Sequence, residues 1–185
     1  MSLKASAAKP GVGGGIWNAP AGSTLPTDAS TALPSAYTSL GYISEEGIKR
    51  SINRNTTVVH AWGGAVVAVL GTKKTETFKF KLIEPGNVDV LGLTFGEATG
   101  TLADGITVKS KADISTPRVF VISTLLAENV HQRIVIPSGV VTDIGEIDYV
   151  DNDVVGFDLT ITAMADDSDN TAYEYLKTIT PSTGG

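Results

Sequence analysis

The 185-residue chain contains no cysteine. That excludes disulfide frameworks, thiol nucleophiles and thiolate metal sites, so stability has to come from packing or assembly. Long apolar runs are missing as well: the longest, Ala65 to Leu70, is far short of the roughly 20 residues a membrane helix requires. Lys4 and Lys9 have no apolar block behind them, which is not the pattern of a secretory signal. There are only two histidines, His60 and His131. Neither has a second histidine or a carboxylate at ligand spacing, and both read as ordinary strand positions. Basic residues are absent from Asp143 to Glu174, where ten acidic side chains stand without a Lys or Arg. Proteins that grip DNA neutralise its phosphates with Lys and Arg, so a pI near 4.8 argues against a nucleic-acid-binding role.

The chain does have enough apolar material for one full core. Hydrophobic residues make up 42% and charged residues 18%, a globular composition. At this length, folding buries about 70% of the unfolded surface. The 20 Gly and 8 Pro, set among many Val, Ile and Thr, predict short strands joined by tight turns. Charge is laid out unevenly: residues 1–81 carry a net +5 and residues 82–185 a net −11.

Residues 1–36 read as an N-terminal arm, because Pro10, Gly13-Gly14-Gly15, Pro20, Gly22, Pro26 and Pro34 work against sustained helix or strand. The arm nevertheless carries Ile16, Trp17, Leu25 and Leu33, which are expected to dock onto something, since burying each is worth about 1.5–3 kcal/mol. Residues 37–180 read as a β domain and 181–185 as a free end. Strands are predicted at Leu40–Ser44, Thr57–Trp62 and Ala65–Leu70, with a bulge or bend at Gly63-Gly64. A turn at Gly71–Lys74 then leads into an alternating strand, Thr75–Ile83. Asn87 caps a short helix carrying Val88, Leu91 and Phe95, which Gly96 closes. Beyond it, strands are expected at Ile106–Lys109, Arg118–Leu126, Arg133–Ile136, Asp143–Tyr149, Val154–Ala165 and Tyr173–Ile179, with a loop at Glu128-Asn129. Arg118–Leu126, with Val119, Val121 and Leu125, is apolar on both faces. In Val154–Ala165 the two-residue period sets Asp158, Thr160 and Thr162 opposite a continuous apolar side. The sum is a mainly β fold, a sandwich or barrel of about eight strands with one flanking helix.

Sites for chemistry are weak. Gly11 to Gly15 is neither preceded by a strand nor followed by Lys-Ser/Thr, so it reads as a hinge rather than a phosphate loop. Asp151-Asn152-Asp153 and Asp166 to Asn170 offer hard oxygens for calcium. However, Val155 occupies the fifth position of the first, and the second lacks the glycine and ends on Lys177. No Gly-x-Ser-x-Gly elbow is present, and no histidine has a partner to act as a base. Neither catalysis nor a cofactor or metal is expected.

Several segments together carry a resemblance. Gly15 to Ala29, Leu40-Gly41-Tyr42-Ile43-Ser44, Ala61-Trp62-Gly63-Gly64, Glu76 to Glu84 and Asn87 to Leu91, in that order and spacing, resemble the major tail protein, or tail tube protein, of long-tailed, non-contractile bacteriophages. The resemblance is sharp over residues 15–96. It implies a structural virion protein with a β-sandwich core, forming hexameric rings stacked into a hollow tube through which DNA passes without specific binding. It also implies tape measure, tail terminator and distal tail proteins as partners, no membrane, and a location in the virion tail after assembly in the host cytoplasm. On that basis Ile16, Trp17, Leu25, Leu33, Val119, Val121 and Leu125 are expected at a subunit interface, and Asp158, Thr160 and Thr162 on the lumen. The bipolar charge suits head-to-tail contacts between unlike surfaces, which generate rings and open tubes. A surface-exposed β-sandwich binding module, of adhesin or carbohydrate-recognition type, is the alternative. It lacks an exposed aromatic cluster, with Trp17 in the arm and Trp62 in a strand. An uncharacterised hydrolase lacks a credible base.

Overall fold

The computed structural model describes residues 7–10, 15–126 and 129–178. Among the described residues eleven strands and one helix follow in chain order: β1 (Lys9–Pro10), β2 (Ile16–Pro20), β3 (Thr38–Ser39), β4 (Lys49–His60), β5 (Val66–Leu82), α1 (Val88–Phe95), β6 (Gly96–Thr101), β7 (Gly105–Ser110), β8 (Arg118–Leu126), β9 (Val130–Ile144), β10 (Phe157–Ala163) and β11 (Tyr173–Thr178). Every pairing is antiparallel.

The long strand β9 joins two halves of one sheet. Its first part lies between β8 and β11, and its last part pairs with β10. The exchange falls at Pro137-Ser138-Gly139, since β11 pairs as far as Val135 and β10 begins at Gly139. Pro137 has no N–H for the ladder, which favours a corner at this point. A Cβ on Gly139 would sit 2.9 Å from both Ile161 and Phe120, so the two halves approach closely there because that side chain is absent. One half runs β3-β2-β8-β9 with β1 beside β8 and β11 beside β9; the other runs β9-β10-β5-β4. The order describes an open, mainly β fold consistent with a sandwich rather than a closed barrel.

The core lies between the halves. Phe78, Phe80 and Leu82 of β5, Phe157, Leu159 and Ile161 of β10, Phe120 and Ile122 of β8, and Ile16 of β2 are all buried. Helix α1 adds Val90, Leu91 and Leu93, and Phe95 meets Phe157 edge-on at 5.9 Å. The helix forms as its sequence dictates: Asn87 accepts hydrogen bonds from the amides of Asp89 and Val90, and Gly96 closes it at φ +102°. A second cluster covers the outer face of the first half, where Ala19, Tyr37, Val119, Val121 and Val135 pack with Trp17, Leu25, Leu33, Tyr173 and Tyr175.

Five expected features differ. Gly71–Lys74 makes no turn, because β5 runs unbroken from Val66 to Leu82 and Gly71 sits at a bulge opposite Thr56. The hairpin turn lies at Ala61 to Ala65, where Gly63 and Gly64 take φ values of +107° and +89°, a region that favours glycine. The arm, expected to hold no strand, contains β2 paired along β8; Pro20 ends that strand and so costs no interior bond. Leu40–Ser44 forms only an isolated bridge, Ile43 to Leu82, and 145–149 is not strand. The hairpin β6–β7 occupies 96–110, where a single strand is expected. Gly13-Gly14, Glu128, Ile179 and the 181–185 end lie outside the described residues.

Candidate assembly surface

The hairpin β4–β5 is the most unusual surface of the molecule. Its lower part belongs to the second half-sheet, where Lys49 to Asn53 pair with Lys79 to Thr75 and Phe78 and Phe80 point into the core. Its upper part, residues 54–73, leaves that support: β10 pairs with β5 only between Glu76 and Leu82. All twelve residues of β4 are exposed. Yet its outer portion, residues 58–70, carries apolar side chains on both faces. Val58 stands opposite Val69, and Val59 opposite Ala68 with Leu70 beside it. Val66, Val67, Val69 and Leu70 are each more than half exposed, and Trp62 at the tip is fully exposed. A two-stranded ribbon is marginal in water by itself, and a contiguous apolar patch of this kind marks an interaction site. In addition, β4 ends the sheet order, and a long edge strand is a ready template for pairing with another chain.

A polar network fixes the base from which the hairpin projects. Glu76 is fully buried on the core face, in line with Phe78 and Phe80. Its carboxylate meets Arg50 at 2.5 Å and Lys74 at 2.9 Å and accepts the Thr171 hydroxyl. Arg50 continues to Glu174 at 3.0 Å and lies 5.4 Å from the Phe78 ring centroid. Burial pushes the Glu76 carboxyl up, but the hydrogen bonds from Thr171, Lys74 and Arg50 outweigh it and hold it below the ordinary glutamate value. One carboxylate thus ties β4 and β5 to the segment that leads into β11.

The outer face of the second half-sheet is polar. Asp158, Thr160 and Thr162 share it, half-buried, while Phe157, Leu159, Ile161 and Ala163 face the core. On the same face Asp158 stands opposite Lys81, and Thr160 lies between Lys79 and Asp143. Lys49 stands opposite Lys79 and pairs with Glu46, and Lys81 approaches Asp153 at 4.0 Å. Lysines therefore interleave with carboxylates here. Sequence reading had only the β10 side of this ladder, because the lysines come from strands roughly 80–110 residues away.

The expected interface residues are placed as follows. Ile16, Val119 and Val121 are buried within their own chain. Trp17, Leu25 and Leu33 pack partly on the second cluster, and Leu125 is half-buried. Residues 21–36 thus lie over the outer face of β8 and β9, which covers much of the apolar surplus of the arm and of β8 within one protomer. The exposed valines of β4 and β5 were not singled out from sequence. The usable signal is in the sequence: Val58-Val59 and Ala65–Leu70 are apolar on consecutive residues, which a half-exposed strand cannot bury on one side. Among the described residues no group of three or more His, Asp or Glu is arranged to hold a metal, and Asp166 uses its oxygens on Ser168, Asn170 and Tyr173.

The comparison with protein families matches residues 1–183 to the model described as phage tail tube protein. No curated protein matches the chain.

Proposed function

The chain belongs to the phage tail tube protein family and is a structural component of the virion tail; from that premise we propose that identical copies join through the β4–β5 hairpin into rings, which stack as a hollow tube for DNA. The observation that carries this reading is the outer hairpin, residues 58–70, with valines on both faces that none of the described residues covers. A neighbour's surface would bury both faces, and the free edge of β4 would extend the sheet from one subunit to the next. Trp17, Leu25, Leu33 and Leu125, only partly covered within the protomer, would border that contact. Ile16, Val119 and Val121 would shape it from beneath. Six copies per ring is the number we adopt, and the tube requires no catalysis or cofactor from this chain.

The polar face bearing Asp158, Thr160 and Thr162 is proposed to line the channel. Its charges favour passage without adhesion. Lys49, Lys79 and Lys81 stand among Glu46, Asp143, Asp153 and Asp158, so phosphates meet no field of one sign. A basic lining would make many salt-dependent contacts and stall the DNA. Tape measure, terminator and distal tail proteins are the partners proposed at the ends and in the bore.

Negative-stain electron microscopy of the concentrated protein tests the assembly. Rings or tubes are expected without nucleic acid. A monomeric mass by sedimentation at every concentration and salt would count against it.

A further inference from the structure

Beneath residues 28–33, on the face of the first half-sheet opposite the core, lies a cleft of about 290 Å³ lined by Trp17, Thr31, Leu33, Ser123, His131 and Arg133, among others. Arg133 is only 7% exposed. Its Nη1 donates to the carbonyls of Asp28 and Thr31, each at 2.9 Å. Among the described residues its Nε has no hydrogen-bond partner and it forms no ion pair. Asp28 acts on it only through space, because the Asp28 carboxylate is occupied by the amides and hydroxyls of Ser30 and Thr31. The Ser123 hydroxyl is likewise buried without a partner among the described residues. A guanidinium withdrawn from water without a counter-ion is costly, and such a charge is kept where an anion completes it. Further donors stand around it: His131 lines the cleft, and Lys177 reaches its rim through Ser30 at 2.9 Å.

The chain carries a matching anion elsewhere. Glu146, Asp148, Asp151 and Asp153 are exposed on the 145–155 loop, and Tyr149 and Val150 beside them are at least half exposed. Among the described residues only Asp153 of these approaches a cation, Lys81 at 4.0 Å. We propose that the Arg133 cleft is a carboxylate receptor that takes an acidic side chain of the 145–155 loop of a second copy, with Tyr149 or Val150 packing on Trp17 and Leu33. The second copy as the source rests on the assembly reading; the binding of a carboxylate does not.

The two tryptophans, Trp17 and Trp62, allow a direct test. In the full chain carrying Trp62→Phe, Trp17 is the sole tryptophan reporter. It is titrated with a synthetic peptide of residues 144–155, with the same peptide bearing Asn and Gln for its four acids, and with acetate. The acidic peptide should change Trp17 emission saturably, less so at high salt, and the neutral peptide should not. Arg133→Met should weaken the binding at least about tenfold, the scale of a charge-assisted hydrogen bond. Should that variant fail to fold by circular dichroism, the comparison of the two peptides on the parent chain still decides. Acetate binding without peptide binding overturns the second copy as the source. Equal binding of both peptides, or no response to any ligand, overturns the receptor itself. Tube formation by the parent chain is read separately by microscopy, so a failure here is distinct from a failure of the assembly reading.

Discussion

Glu76 shows what a single buried charge does in this fold. Replacing it by Gln leaves Arg50 and Lys74 without their shared anion and should lower stability by roughly 1–3 kcal/mol in denaturant unfolding. Its pKa in the folded chain lies below the ordinary value of 4.5. The stability it contributes is therefore fully present above about pH 4.5 and is lost as pH falls through the lower, folded pKa. The pH dependence of unfolding below 4.5 should be shallower in Glu76→Gln than in the parent chain; an identical slope contradicts the role given to this carboxylate. The position was half legible in the sequence. Alternation along Glu76, Phe78, Phe80 and Leu82 puts Glu76 on the core side, but Arg50 and Thr171 lie 26 and 95 residues away, and no local spacing reveals such partners. The arm poses the same difficulty. Its apolar surplus was visible, whereas what covers it, the outer face of β8 and β9, depends on contacts about a hundred residues distant.

Elements with a clear period were read well and elements whose period breaks were not. Helix α1 has its cap, its apolar spacing and its closing glycine in sequence order, and β8 and β10 follow their expected spans to within a few residues. The sequence pattern divides the hairpin β4–β5 into pieces, because Gly71 and the following Thr and Lys residues imitate a turn although the ladder there only shifts register. Val69 is 60% exposed in the free chain, so Val69→Asp should change monomer stability by no more than about 0.5 kcal/mol. Assembly into rings or tubes should nevertheless be lost, as read by sedimentation and microscopy. Normal tubes from this variant would remove the hairpin from the interface. At the corner of β9, a Cβ on Gly139 would sit 2.9 Å from Ile161 and Phe120. Gly139→Ala should therefore destabilise by about 1–3 kcal/mol, whereas Gly47→Ala, at a site with nothing within 4 Å, tests only the backbone cost of its positive φ.

At the scale of the whole molecule, the two charge halves of the sequence are brought together by the β5–β10 pairing. Residues 49–82 carry seven Lys or Arg against the single Glu76, and the fold sets several of them among acidic groups of residues 143–174, Lys81 near Asp153 and opposite Asp158 and Arg50 on Glu174. If the Asp158 face lines the channel, Asp158→Lys adds positive charge opposite Lys81 and should slow genome release while tubes still form. The effect should ease as salt rises, because charges are screened over about 8 Å at 0.15 M; release at the parent rate in low salt would refute the lumen assignment. Sequence alone could place Asp158 outside the core but could not distinguish channel from exterior, since both are water-facing. Cryo-electron microscopy of the assembled tube decides the matter most directly. The expected density shows residues 57–70 buried between neighbouring subunits, with β4 extending the sheet into the next copy. A tube in which this hairpin projects freely into solvent, or no tube at all from isolated tails or purified chain, would contradict it.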